Sequence, residues 1–251
     1  MRKRQMPNLI QDIYDSYIED LNHKKISNRY AGKEQWFHSS GSGKCIRKHY
    51  LDTIQQVPIE DRDTIPKTLY RLFRLGDIVH KDIQTAVSLY AEQEGLPIFI
   101  EKELYIEDLN VRGFIDLAFV DKDILYDIKT MNSRSWSMTF GTKYGKGVSQ
   151  FNKMQLGTYG LWYQRKYNTI KGLSLVFYNK NTSVMKEIEL NIDIIDDALE
   201  YWEKVKRMTS GDKPPPIAMR SSPVEDWECS YCNLITACGG GVKPSLLRKK
   251  K

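Results

Sequence analysis

At 251 residues, with 41% hydrophobic and 28% charged residues, the chain is long enough for one large domain, or a core with an accessory lobe, and its composition is ordinary for a soluble globular protein. The basic stretch Met1 to Gln5 is followed by no apolar h-region, and no apolar run approaches the length of a membrane span, so neither a secreted nor a membrane protein is expected. A net charge of +6 permits nucleic-acid binding without requiring it.

Residues Pro7 to Lys24 read as a helix, because Ile10, Ile13, Tyr14, Tyr17, Ile18 and Leu21 recur at helical spacing. Trp36 to Lys44, rich in Ser and Gly, reads as a loop that delivers Cys45. A second helix is expected over Lys67 to Glu94, with Leu69, Leu72, Phe73, Val79 and Ile83 as its apolar positions and Gly95 and Pro97 as its stop. Three strands follow: Ile98 to Tyr105, Val111 to Val120, and Ile124 to Lys129. The last two, joined by Asp121-Lys122-Asp123, form a hairpin.

After a Gly- and Lys-bearing loop from Lys143 to Ser149, a helix is expected over Gln150 to Lys166. Leu173 to Tyr178 and Val184 to Leu190 read as a second hairpin around Asn179-Lys180-Asn181. Asp193 to Met208 is again helical, and Gly211 to Pro216 is an extended linker. The last block carries three cysteines and ends in the basic tail Arg248 to Lys251, expected to be disordered. No internal repeat is present. This order suggests an α/β or α+β core, a mixed sheet flanked by helices. It divides into an N-terminal helical segment over 1–65, a core over 66–210 and a C-terminal segment over 211–251.

On the third strand, Asp127 and Lys129 lie two residues apart and share a face, while Tyr126 and Ile128 point the other way. The hairpin brings Asp116 toward Asp127. Two adjacent carboxylates on an apolar sheet are unfavourable unless a cation or proton neutralises them. Mg²⁺ or Mn²⁺ suits carboxylate oxygens and could activate water on a phosphodiester, with Lys129 orienting that water or stabilising the developing oxyanion. His80, on the long helix after Gly76, could complete the metal shell. Gln155 and Tyr159, four apart on their helix, share a face and could reach substrate or a metal-bound water.

The chain has four cysteines. Cys229, Cys232 and Cys238 form a compact ligand loop, and Cys45 is a remote fourth. In a cytoplasmic protein, the location expected here, clustered cysteines hold metal more often than they pair. Four thiolates suit tetrahedral Zn²⁺ or an iron–sulfur cluster, and the solitary Cys45 leans toward the cluster. Either would staple the C-terminal segment to the N-terminal one, so its loss should loosen the protein.

Taken in order, these motifs resemble the PD-(D/E)XK nuclease superfamily, in its RecB-like branch with an iron–sulfur cluster. They are Cys45 followed by Arg47 and Tyr50, Gly76-x-x-x-His80, Gly113-x-x-Asp116, Asp127-x-Lys129, Gln155-x-x-x-Tyr159, and Cys229-x2-Cys232-x5-Cys238. That branch includes CRISPR-adaptation exonucleases and the AddB nuclease domain. The resemblance implies a restriction-endonuclease-like fold. It also implies a catalytic metal held by His80, Asp116, Asp127 and the Ile128 carbonyl, Lys129 as the catalytic lysine, and Gln155 with Tyr159 as the motif after it. The four cysteines would hold a structural [4Fe–4S] cluster. No Walker A motif is present, so the helicase of larger relatives is absent, and a stand-alone nuclease of CRISPR-associated or phage type is expected.

DNA would be held by Arg71 and Arg74 near His80, by Lys143, Lys146, Lys153 and Arg165 about the Gln155 helix, and by Arg47 and Lys48 after Cys45. Trp136, Tyr144 and Trp162 could stack on unpaired bases and favour single strands. The leading expectation is a metal-dependent, single-strand-preferring DNA exonuclease, with 5′-to-3′ polarity implied by the resemblance. It would act in recombination, repair or CRISPR adaptation, alone or beside integration or recombination proteins. The alternatives are a non-catalytic DNA-binding or assembly module on a nuclease fold, and a zinc-stapled structural protein.

Overall fold

The computed structural model describes residues 9–30, 35–143, 145–217, 228–229 and 232–239. Its described strands form one six-stranded mixed sheet. They are β1 (Phe37–His38), β2 (Ile98–Ile106), β3 (Val111–Phe119), β4 (Ile124–Met131), β5 (Gly172–Asn179) and β6 (Met185–Leu190). Strand β3 pairs antiparallel with β2 along its length. Its other edge is shared: β1 pairs in parallel at Val111 and Arg112, and β4 pairs antiparallel only from Leu117 to Phe119. Strand β4 continues in parallel beside β5, and β6 returns antiparallel to β5. The expected hairpins β3–β4 and β5–β6 both form, because each joins two periodic strands through a short polar turn.

Six helices matter for the site: α1 (Leu9–Tyr30), α2 (Ile46–His49), α3 (Lys67–Glu94), α4 (Ser133–Phe140), α5 (Gln150–Tyr167) and α6 (Ile194–Thr209). A parallel β4–β5 pair requires a crossover, and α4 with α5 supplies it. Strand alternation then divides the helices between the two faces of the sheet. Lys129 reaches Gln155 of α5, while its neighbour Thr130 meets Gly76 of α3 on the opposite side. Helices α5 and α6 pack together over the first face, around the fully buried Trp202, Tyr163, Phe177 and Leu156. Helix α3 ends where expected, with Gly95 at φ 66 in the left-handed region.

The structure departs from expectation in four places. The segment read as a loop from Trp36 to Lys44 contains β1 and a 3₁₀ turn, Ser39–Gly41; a two-residue strand is too short to show alternation. Helix α1 forms, but Ile10, Ile13, Tyr14 and Tyr17 are exposed and Ile18 is buried, so its apolar period marks a helix without marking a buried face. Leu72 and Phe73 of α3 are likewise exposed. Helix α4 was not expected; its short run is secured by Asn132, whose side chain accepts the Ser135 N–H. Pro7 and the tail from Arg248 to Lys251 lie outside the described residues.

Candidate active site and cysteine cavity

Strands β3 and β4 stop pairing at Leu117 opposite Tyr126. The next pair in that register would be Asp116 with Asp127. Here the ladder opens instead, and Asp116 Oδ2 accepts the Ile128 N–H at 2.8 Å. Asp127 is fully buried and Asp116 nearly so. Burial raises both above the usual carboxylate range, Asp127 to about 7.

Lys129 extends over Asp127. Its Nζ donates to Oδ1 at 2.8 Å and lies 2.7 Å from Oδ2 without hydrogen-bonding geometry. Asp127 Oδ2 is therefore a buried oxygen in close ionic contact that still lacks a directed hydrogen bond. Lys129 also donates to Gln155 Oε1 at 3.0 Å, and Gln155 Nε2 donates to the Tyr159 hydroxyl at 2.6 Å. The helical spacing of Gln155 and Tyr159 thus builds one chain of contacts ending on Asp127. Burial holds Tyr159 well above its ordinary value, so it stays a neutral phenol.

His80 arrives from the other face. Its Nδ1 lies 3.6 Å from Asp116 Oδ2, and burial, then the Lys129 charge, lowers its basicity. A neutral imidazole can coordinate a cation. Gly76, one turn earlier on α3, explains how the helix comes near enough: a β-carbon there would stand 3.0 Å from Thr130 Oγ1.

Two residues escaped the sequence reading. Gln84, buried on α3, donates to Glu101 Oε1 at 2.7 Å and to the Asp116 carbonyl at 3.0 Å. Glu101 sits opposite Asp116 on β2 at φ 48, and the ladder has no pair at that position. The Gln84 amide thus serves the Asp116 carbonyl where the strand does not. Gln84 follows His80 by four residues, a signal that was available. The pairing of Glu101 with Asp116 depends on a strand register that no local pattern fixes.

The chemistry of this donor set fits a hard divalent cation: two buried carboxyls drawn together, an oxygen short of a hydrogen bond, and a neutral imidazole beside them. Among the described residues, no group of three or more His, Cys, Asp or Glu side chains is placed so that it could hold a metal ion. An ion of the Mg²⁺ class needs only one or two carboxylates and retains waters, so that finding does not conflict with the fit.

Cys45 and the three cysteines of the C-terminal segment line a single cavity of about 350 Å³. None is in a disulfide. Burial raises the Cys45 and Cys232 thiols. Arg47 spans the segments, donating to the Pro215 and Cys238 carbonyls at 2.6 and 2.9 Å. Leu234, fully buried, packs with Tyr50, Leu51 and Val57.

Several of the expected DNA contacts have partners within the chain. Arg47 is engaged in joining the cysteine segments. Arg165 pairs with Asp108 at 2.9 Å, and Arg71 with Asp15 at 3.6 Å. Trp136 and Trp162 are partly buried, packed against the core. Lys143 and Lys146 are exposed, and Arg74 shares an open cavity with His80. Tyr144 lies outside the described residues.

The model of the PD-(D/E)XK nuclease superfamily matches residues 83–239, a span that holds Asp116, Asp127, Lys129, Gln155, Tyr159 and three of the cysteines. Among solved structures, the crystal structure of SSO0001 is similar with a TM-score of 0.56 and 18% identity, over 90% of this chain and 97% of that one. That likeness shows the fold. An alkaline exonuclease (LHK-Exo) from Laribacter hongkongensis is 13% identical over 70% of this chain and 89% of its own, with a TM-score of 0.45. No curated protein matches the chain.

Proposed function

The chain belongs to the PD-(D/E)XK nuclease superfamily, and on that premise we propose that it is a divalent-metal-dependent DNA exonuclease acting on single strands in the 5′-to-3′ direction. The observation that carries the reading is the open end of the β3–β4 ladder, where Asp116 and Asp127 meet beneath Lys129. Asp116, Asp127, His80 and the Ile128 carbonyl would hold Mg²⁺ or Mn²⁺, which supplies Lewis-acid charge and an acidified water at a phosphodiester.

The side chains divide the remaining work. An ammonium has three N–H donors. Lys129 directs one to Asp127 and one to Gln155, leaving the third for the attacking water or a non-bridging phosphate oxygen. Gln155, itself held by Tyr159, keeps that third donor aimed. Lys143, Lys146 and Arg74 are the cations we assign to the phosphate backbone. Preference for single strands and the polarity rest on the resemblance to RecB-like nucleases.

The cysteine cavity is assigned to a [4Fe–4S] cluster of structural role, within the RecB-like iron–sulfur branch. Supporting this is the single cavity that all four cysteines line, none of them in a disulfide. Zn²⁺ is the competing occupant, and metal analysis separates the two. The setting proposed is DNA recombination, repair or CRISPR adaptation.

The reading is tested with anaerobically purified protein and Mn²⁺ on linear single-stranded DNA labelled at one end or the other. Early release of a 5′ label is expected, with duplex DNA degraded more slowly. Early release of a 3′ label contradicts the polarity, and cutting of circular single strands contradicts exonuclease action.

A further inference from the structure

We propose that Gln84 is a positioning residue for Asp116, anchored in that role by Glu101, so that helix α3 holds Asp116 at both its side chain and its backbone. The inference rests on the reading of Asp116 as a metal ligand; the linkage itself stands on the contacts.

Asp116 has no ladder partner in β2 or in β4. From Ile98 to Ile106, every residue of β2 except Glu101 has its partner on β3, and the missing pair is Glu101 with Asp116. On the other edge, β4 pairs with β3 only from Leu117 to Phe119. Glu101 stands at φ 48, in the left-handed region, which is uncommon for a residue with a β-carbon. Such a conformation persists only where its surroundings hold it, and it collects at functional sites. Asp116 is thus mounted on a point of β3 that the sheet alone does not fix.

Gln84 supplies what the ladder omits. Its amide nitrogen carries two N–H donors. One goes to the Asp116 carbonyl at 3.0 Å and the other to Glu101 Oε1 at 2.7 Å. Turning the amide over would set its oxygen against two acceptor oxygens, so Glu101 decides which end of the side chain faces β3. Gln84 is buried. Water does not readily replace either bond there, and loss of the amide leaves the Asp116 carbonyl short of a donor.

Gln84 follows His80 by four residues on α3 and so shares its face. His80 Nδ1 lies 3.6 Å from Asp116 Oδ2, the oxygen that accepts the Ile128 N–H at 2.8 Å. One helix therefore meets Asp116 at its carboxyl and, one turn on, at its carbonyl. The separation of His80 from Asp116, on which a shared cation depends, is held by this second contact. His80, Gln84 and Glu101 line one open cavity, and Glu101 is the exposed member of the three.

Gln84→Leu removes both donors at similar volume. In purified full-length protein, Mn²⁺ affinity should fall about tenfold, the usual cost of losing an outer-shell partner, as read by the EPR signal of unbound Mn²⁺. Glu101→Ala should also weaken Mn²⁺ binding, but by less than about twofold when added to Gln84→Leu, because its effect passes through the amide. Glu101→Gln, which keeps an acceptor for Gln84, should weaken it less than Glu101→Ala does. The second readout needs no metal: the Asp116 carbonyl carbon NMR signal should change in Gln84→Leu and in Glu101→Ala. Wild-type Mn²⁺ affinity in a folded Gln84→Leu variant, or an unaltered Asp116 carbonyl signal, overturns the proposal. Equal weakening by Glu101→Gln and Glu101→Ala overturns it too, since Glu101 would then act by its charge. If Gln84→Leu does not fold, the exposed Glu101→Ala reads the link from its other end through the same two signals. A wild type that binds Mn²⁺ and responds as expected, yet cuts no DNA, refutes the nuclease reading and supports the linkage.

Discussion

Gly76 of α3 and Thr130 of β4 stand so close that a β-carbon on the glycine would lie 3.0 Å from the threonine hydroxyl. This contact sets the height of α3 above the sheet, and His80 rides one turn further along the same helix. Gly76→Leu should therefore lift the helix, destabilising the fold by about 1–3 kcal/mol through overpacking and weakening Mn²⁺ activation by moving His80 from Asp116. Gly76→Ala is the gentler arm, because alanine favours a helix over glycine by about 1 kcal/mol. Melting temperature and the Mn²⁺ concentration for half-maximal cleavage check both. Wild-type metal dependence in a folded Gly76→Leu variant would count against the role of this contact.

His49 is expected to govern part of the acid sensitivity of the fold. It is buried between Phe37, Tyr201 and Trp202, its Nε2 2.8 Å from the Tyr201 hydroxyl and 2.9 Å from the Gly41 carbonyl. Burial lowers its pKa from 6.5 to about 4. Between those values the unfolded chain binds the proton and the folded one does not, so stability rises with pH. The contribution is complete above 6.5 and is lost as pH falls toward 4, an effect of about 3 kcal/mol. Urea unfolding across this window should show the decline in wild type and a shallower one in His49→Gln. Parallel profiles would contradict the assignment.

Cys232→Ser should lower the melting temperature and the bound iron together. The C-terminal segment keeps direct contacts through Arg47 and Leu234, so the variant is expected to loosen rather than unfold. Unchanged melting with unchanged iron would show that Cys232 is not a ligand. Zinc in place of iron would reassign the cavity and leave the stapling role intact.

How much of this was legible in the sequence follows from how local each feature is. The sharing of one face by Asp127 and Lys129 is a property of one strand, and the spacing of Gln155 and Tyr159 is a property of one helix. Both could be read directly and both are found. The meeting of Asp116 with Asp127 needed only a short hairpin. That the ladder opens at this pair was not readable, because it depends on β1 taking up the beginning of the same edge of β3. Glu101 was missed for a related reason, its partner being set by the β2–β3 register. Trp136 and Trp162 show the converse: an aromatic side chain looks the same in sequence whether it faces solvent or completes a core. The gathering of Cys45 with Cys229, Cys232 and Cys238 was inferred from residue type, and the cavity they line emerges only once the two ends of the chain meet.

The most direct test of the account compares wild type, Asp116→Ala and Lys129→Ala for cleavage of single-stranded DNA with Mn²⁺, with DNA binding measured in parallel. The account predicts that wild type degrades the strand while both variants bind DNA and leave it intact. Full cleavage by either variant would contradict the assignment of the open β3–β4 ladder as the catalytic centre.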